Sequence, residues 1–118
     1  MLKVGIIGVG TVGASVANIL RDNKNIITAR AGIEIVPVLG VVSNLHKARN
    51  VDIKLTDNID DVLNDDSIDV VVELMGGIDK PNEIVRKALL KGKAVVTANK
   101  ALLAYHRYEL QELAGDIP

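Results

Sequence analysis

Three glycines near the start of the chain have the spacing at which a backbone can approach a pyrophosphate closely. Gly8, Gly10 and Gly13 form the pattern G-x-G-x-x-G, directly after an apolar segment at residues 4–7. Gly8 permits a tight turn, Gly10 leaves room for phosphates, and Gly13 lets a following helix lie close to the strand. The N-terminus of that helix would present free N–H groups and a positive dipole end. We therefore predict a dinucleotide site at Gly8, Val9, Gly10, Thr11, Val12 and Gly13, with a turn that binds nothing as the alternative.

Lys100 is the main candidate for a side chain that takes part in chemistry. It follows a predicted strand, where a lysine could polarise a carbonyl, donate a proton or hold a ligand oxygen. A surface ion pair is the alternative explanation. Glu73 interrupts an apolar strand, so it must be paired or lie near a ligand. His46 and His106 have no partner pattern for a metal or a nucleophile and are interpreted as surface residues, and no metal site is visible in the sequence.

The end of the second predicted strand carries information about the cofactor. An NAD site usually places a carboxylate there, about 20 residues after the glycines, to hold the ribose hydroxyls. This chain has Ser43 and Asn44 at that position, whereas Glu34 lies at the start of the strand and is expected to be solvated. Basic side chains follow at His46, Lys47 and Arg49. Because positive charge without a carboxylate suits a 2′-phosphate, we predict NADP, with NAD possible and a solvated basic turn as the alternative.

The predicted elements bring these residues together. Apolar segments that read as strands alternate with helical segments, which indicates an α/β fold: a Rossmann-type doubly wound parallel sheet forming a single cofactor domain over residues 1–118. Four strand ends carry unusual residues, at Gly8–Gly13, Ser43–Asn44, Leu74–Gly77 and Thr97–Lys100. Since parallel strands end at the same edge of a sheet, we expect these four segments to converge.

Several element boundaries follow from the same patterns. The first helix has apolar residues at helical spacing: Val12, Val16, Ile19 and Leu20. The second strand covers residues 33–42, but its paired part should begin after Pro37, which lacks an N–H, and Gly40 suggests close backbone approach or a bulge. We also expect a helix that starts at Asp57, a strand over residues 68–74, and a helix with Pro81 as its first residue.

Composition excludes several classes of function. The chain has 118 residues, of which 48% are hydrophobic and 25% charged, and a formal net charge of −1. With two Tyr and no Phe or Trp it lacks the aromatic platforms of single-strand nucleic-acid binding modules, so we expect no nucleic-acid partner. The absence of Cys excludes disulfides and thiolate chemistry. No apolar run approaches a membrane span and no signal-peptide pattern is present, so we expect no membrane partner and a cytoplasmic protein.

Two further segments, read with the glycine turn, resemble a known family. VVELMGG at Val71–Gly77 and VVTANKALLA at Val95–Ala104, behind GVGTVG at Gly8–Gly13, resemble the cofactor domain of homoserine dehydrogenase. That family interconverts aspartate 4-semialdehyde and homoserine with NAD(P)H, a step in threonine and methionine biosynthesis. The resemblance implies that residues 10–13 hold the pyrophosphate. It places Lys100 near the nicotinamide and the substrate oxygen, and it implies cofactor contacts at Met75, Gly76, Gly77, Ala98 and Asn99.

The chain also departs from the family pattern. Many members carry an arginine at the position of Ser43, which weakens the NADP assignment. The family's substrate-binding and dimerising domain would follow Pro118, so we expect a fragment that alone has little or no dehydrogenase activity, and a homo-oligomer at full length. Leu110 and Leu113 would then be exposed apolar residues. Two alternatives remain open: another amino-acid reductase such as aspartate dehydrogenase, and a stand-alone nucleotide-binding or redox-sensing module without catalysis.

Overall fold

The computed structural model describes residues 1–45 and 51–117, apart from the side chain of Thr11. Strands and helices mostly alternate along this part of the chain, with a helix pair between the first two strands and two successive strands, β2 and β3, in the described element order. The elements are β1 (Leu2–Ile7), α1 (Thr11–Asp22), α2 (Lys24–Ala31), β2 (Ile35–Val41), β3 (Lys54–Thr56), α3 (Asp60–Leu63), β4 (Val70–Glu73), α4 (Asp79–Leu90), β5 (Ala94–Thr97) and α5 (Lys100–Ala114). The predicted α/β class is confirmed.

All neighbouring strands pair in parallel, and the sheet order is β3-β2-β1-β4-β5. The chain moves outward from β1 to β3, then crosses back to β4 on the other side of β1. This reversal creates a topological switch point between β1 and β4, and ligands of open α/β sheets bind beyond the carboxyl ends of the strands at such a point. The Rossmann-type parallel sheet is therefore confirmed, with all five carboxyl ends at one edge.

Helices cover the sheet from both sides. On one face α3 and α4 pack on a core that includes Val62, Val71 and Ile84, and α5 packs on α4 through Val85 and Leu102. On the other face α1 packs against β1 and β2. Two apolar layers around one sheet give a single domain core of aliphatic side chains, as the scarcity of aromatic residues requires.

The residues of α1 that face the sheet are not all those that the apolar spacing in the sequence suggested. Val12 and Ile19 are 61% and 55% exposed, while Ala17 is buried against the sheet and Gly13 packs on the glycine turn. The helix approaches the glycine turn so closely at Gly13 that no side chain fits there. Val16 still packs against the core, so the prediction is right in part.

Pairing of β2 begins earlier than predicted. Ile35 already pairs with Leu2, and Pro37 pairs with Val4, with a register shift that skips Val38. The missing N–H of Pro37 is tolerated because β3 pairs with β2 only from Leu39 onward, so the other side of β2 has no neighbour there. The prediction of a paired segment starting after Pro37 is therefore wrong.

Gly40 is required by close packing. A Cβ atom there would lie 2.5 Å from Cγ2 of Val9 and 3.1 Å from Ile53 Cδ1. The expected close approach is confirmed, although side chains rather than backbone make it. The alternative, a bulge, occurs two residues earlier at Val38.

Helix boundaries also shift from the predicted positions. α4 begins at Asp79, so Pro81 is its third residue and is buried, and α3 begins at Asp60 rather than Asp57. A proline within the first helical turn costs little because the N–H groups of that turn have no intrahelical acceptor.

Leu110 is buried against α4, which contradicts its expected exposure, and Leu113 packs on the same cluster.

No helix among residues 1–45 and 51–117 is long and apolar enough to cross a membrane.

Candidate functional site

The glycine turn joins the end of β1 to the start of α1. Gly8 has φ +97°, a left-handed conformation that favours glycine, and its N–H donates to the carbonyl oxygen of Val41 at 3.0 Å. A Cβ on Gly13 would lie 2.6 Å from the carbonyl oxygen of Gly8, so this glycine sets the close contact of helix and turn. At Gly10 no heavy atom lies within 4 Å of the position that a Cβ would occupy. The helix start therefore faces open space.

This arrangement fits a phosphate-bearing ligand. Gly10 is the N-cap of α1 and Thr11 is its first residue, and no acidic residue occupies the first turn to compete for an anion. The first N–H groups of a helix have no intrahelical acceptor, and its dipole favours negative charge. The open space at Gly10 is where a Cβ would otherwise obstruct such a ligand. Residues 8–13 could therefore hold a pyrophosphate.

The end of β2 lies beside this turn. Val42 continues the strand, donating its N–H to the carbonyl oxygen of Thr56, and the predicted residues Ser43 and Asn44 follow it as exposed residues. His46, Lys47 and Arg49, on which the NADP prediction depends, lie outside the described residues. Glu34 lies at the opposite edge of the sheet, partly exposed, and forms an ion pair with Lys24 at 2.8 Å.

Glu73, the last residue of β4, is fully buried and hydrogen-bonded. Its Oε1 accepts the backbone N–H of Met75 at 2.7 Å, and its Oε2 accepts the hydroxyl of Thr97 at 2.6 Å. The sequence leaves open whether this carboxylate is paired or lies near a ligand. The structure pairs it with two donors of the protein, one in the loop after β4 and one at the end of β5.

Asn99 extends this connection to α5. Its Oδ1 accepts the N–H of Leu102 at 3.0 Å and caps the helix, and its Nδ2 donates to the carbonyl oxygen of Gly77 at 2.7 Å. The Asn99 N–H donates to Oγ1 of Thr97 at 3.1 Å. The sequence placed Thr97 in a segment expected at this edge but gave its side chain no role. The signal for such a role was the Thr-x-Asn pattern directly before a helix, where Asn favours the N-cap.

Lys100 is the first residue of α5 and is exposed. Among residues 1–45 and 51–117 none forms an ion pair with it, so the surface-ion-pair alternative finds no partner there. The residue lies at the same edge of the sheet as the glycine turn.

His106 lies farther along α5, is partly buried, and has Nδ1 3.7 Å from Glu109.

The predicted site residues thus lie on one edge of the sheet. The four segments expected to converge are residues 8–13, 43–44, 74–77 and 97–100, and each lies at or directly after the carboxyl end of a strand. Some are in direct contact: a Cβ on Gly8 would lie 3.1 Å from the backbone of Leu74, and Asn99 holds Gly77. A separate cavity of about 240 Å³ lies between α1 and the start of β2, where Lys24 and Glu34 pair with each other.

Comparison with known proteins identifies the family. A family model for the NAD-binding domain of homoserine dehydrogenase matches residues 8–116. The homoserine dehydrogenase of Helicobacter pylori is 44% identical over 117 residues, which cover 99% of this chain and 28% of that protein. Two crystal structures of homoserine dehydrogenases share the fold. The one from Thiobacillus denitrificans has a TM-score of 0.91 and 45% identity, over 96% of this chain and 27% of that one. The S. aureus enzyme at pH 8.5 has a TM-score of 0.88 and 39% identity, over 96% and 29%.

These matches favour the resemblance first seen in VVELMGG and VVTANKALLA over an aspartate dehydrogenase. The chain spans about 28% of the length of the H. pylori relative, so the comparison concerns one domain of a larger enzyme. The matched residues include the glycine turn and most of the parallel sheet. The chain belongs to the homoserine dehydrogenase family and forms its NAD-binding domain.

Proposed function

We propose that the carboxyl edge of this sheet binds a nicotinamide dinucleotide with its pyrophosphate at residues 8–13. The observation that carries the proposal is the contrast within the glycine turn: Gly13 packs against Gly8, while the space at Gly10 is open. The adenosine half would lie toward Ser43 and Asn44, because the ribose is read at the end of the second strand. The nicotinamide half would then lie toward the ends of β4 and β5.

For the whole enzyme we propose the family reaction, the interconversion of aspartate 4-semialdehyde and homoserine. The nicotinamide supplies or accepts the hydride. Hydride addition to an aldehyde builds negative charge on its oxygen, and a nearby cation lowers the energy of that state. Lys100 is the proposed group, since it is exposed at this edge without an ion-pair partner among the described residues. The substrate pocket and a second proton donor would come from the part of the relatives that this chain does not span.

We propose NADP as the preferred cofactor, with NAD also accepted. The support is the chain's own composition at the end of β2: Ser43 and Asn44 in place of a carboxylate, and Lys47 and Arg49 nearby in the sequence. A 2′-phosphate adds negative charge, which an Asp or Glu at that position would repel.

The cytoplasmic location and a homo-oligomeric whole enzyme are further proposals, the second supported by the exposed side chains of Tyr105 and Tyr108 on α5.

Calorimetric titration of the chain with NADPH, and separately with NADH, tests this proposal. We expect micromolar binding, with NADPH tighter than NADH by about tenfold, equivalent to about 1.4 kcal/mol. The preference should decrease as salt is raised, because exposed charges are screened. Equal affinities at low salt would contradict the NADP proposal, and binding of neither cofactor would contradict the cofactor site itself.

A further inference from the structure

A hydrogen-bond network with a fully buried carboxylate joins the ends of the paired strands β4 and β5. It consists of the Glu73 carboxylate, the Thr97 hydroxyl and Asn99, joined by the bonds from Thr97 Oγ1 to Glu73 Oε2 at 2.6 Å and from Asn99 N to Thr97 Oγ1 at 3.1 Å. Glu73 is fully buried, and no cation among the described residues forms an ion pair with it. A buried carboxylate is costly unless it is well hydrogen-bonded, so the protein maintains it at this place against a penalty.

The network fixes the loop that follows β4. Glu73 accepts the N–H of Met75 at 2.7 Å, and Asn99 donates to the carbonyl oxygen of Gly77 at 2.7 Å. Met75 also packs against the apolar core on that face of the sheet, but the two glycines that follow have few contacts. Gly76 and Gly77 are exposed, and no heavy atom lies within 4 Å of a Cβ built on either one. The position of Gly76 and Gly77 therefore depends on the network.

The same network fixes the start of α5. Asn99 caps the helix through Leu102, so the side chain that holds the Gly77 carbonyl also sets the first turn, where Lys100 begins. The loop after β4 and the candidate catalytic lysine are thus positioned by one connected group of side chains. Neither Glu73 nor Thr97 needs to touch a ligand for this effect.

We propose that Glu73, Thr97 and Asn99 form a positioning network for the nicotinamide half of the bound dinucleotide. This inference rests on the proposed function, which places that half at the ends of β4 and β5. The adenosine half would lie across β1 at the end of β2, beyond the reach of the network's bonds. Disruption of the network should therefore weaken contacts to one half of the cofactor and spare the other.

The chain contains a matched control for this network at the end of β3. Thr56 donates its hydroxyl to Asp61, and the N–H of Asn58 donates to Thr56 Oγ1 at 3.1 Å. The Thr-x-Asn pattern and the threonine-to-carboxylate bond are the same as at Thr97. Thr56 is buried whereas Thr97 is partly buried, and Thr56 belongs to the edge strand β3, which β2 and β1 separate from β4.

The test compares Thr97→Val, Thr97→Ser and Thr56→Val with the unchanged chain. Two ligands are titrated: NADPH, and 2′-phospho-ADP-ribose (here called ADP-ribose), which keeps the phosphorylated adenosine and the pyrophosphate but lacks the nicotinamide. Thr97→Val removes a hydrogen bond to a buried charged group, which should destabilise the arrangement of the loop after β4 and of α5 that the nicotinamide half would contact. NADPH binding should therefore weaken about tenfold, and ADP-ribose binding should change less than about twofold. Thr97→Ser retains the hydroxyl and should restore NADPH affinity. Thr56→Val should affect neither ligand.

The nicotinamide fluorescence of bound NADPH provides a second measurement. Its emission reports the surroundings of the ring, and we expect Thr97→Val to change it while Thr97→Ser does not. If Thr97→Val does not fold, Glu73→Gln replaces it in the test. This change places an amide donor where one carboxylate oxygen accepts, and it should likewise weaken NADPH binding and spare ADP-ribose binding. Equal weakening of both ligands, or no effect on either, would overturn the positioning role. Failure of the unchanged chain to bind ADP-ribose and NADPH would instead overturn the proposed function, and the inference with it.

Discussion

Replacing Gly13 with alanine should lower the free energy of unfolding of the chain by about 2 kcal/mol and abolish dinucleotide binding. A Cβ at this position would lie 2.6 Å from the carbonyl oxygen of Gly8, a backbone atom that cannot rotate away. Either α1 moves from the sheet or the turn is distorted, and overpacking of this kind typically costs about 1–3 kcal/mol. Denaturant unfolding followed by circular dichroism measures the loss. A Gly13→Ala chain as stable as the original would contradict the packing of α1 on the glycine turn.

Replacing Gly10 with valine should also cause a large loss of binding, but with little loss of stability. No atom lies within 4 Å of the new Cβ, and Gly10 has a negative φ of −95°, so a side chain is tolerated. Valine is a poorer N-cap than glycine, which we expect to cost about 1 kcal/mol or less. The added side chain would fill the space proposed for the pyrophosphate. NADPH and ADP-ribose should therefore both bind at least about a hundredfold more weakly, or about 2.7 kcal/mol.

Each of these two variants is the control for the other. Both add a side chain to the same turn, three residues apart, and only one of them meets backbone atoms. Unfolding curves and calorimetric titrations on the same preparations separate the two effects. Retained NADPH affinity in a folded Gly10→Val chain would show that the pyrophosphate does not occupy this turn.

Sequence patterns predicted the architecture well because they reflect backbone requirements. The glycine spacing and the apolar strand at β4 each need a particular backbone conformation. Gly32, which ends α2, is left-handed at φ +73°. The meeting of four strand ends at one edge follows from parallel pairing alone. The roles of the residues at that edge, including Lys100, stay predictions.

Predictions that depended on tertiary packing were less accurate. Val12 and Ile19 have the spacing of a buried stripe, yet they are exposed because the close approach at Gly13 selects Ala17 for the contact. Leu110 is buried rather than exposed because α5 folds onto α4. Pro37 lies within a paired strand because β3 pairs with β2 only from Leu39 onward, so no strand lies where the N–H of residue 37 would have to donate. In each case the deciding neighbour lies on another element.

Glu73 shows the same limit at the site. The sequence marks it as an unusual charge in an apolar strand, but its two donors are a backbone N–H two residues later and a hydroxyl 24 residues away. The backbone N–H of Met75 could be expected as a donor, because a turn after the strand brings it near the carboxylate. The second donor depends on the register of β4 and β5, which pairs Glu73 with Thr97. Only the folded sheet makes that partner visible.

The most direct test of a cofactor site at the carboxyl edge is amide NMR mapping of the chain during titration with NADPH. We predict shifts that saturate with the ligand at residues 8–13, 43–44, 75–77 and 98–100. Amides at the opposite edge, such as Glu34, Asp66 and Gly92, should stay unchanged. Saturable shifts at the opposite edge, or next to the cavity between α1 and β2, with none at the glycine turn would contradict the account.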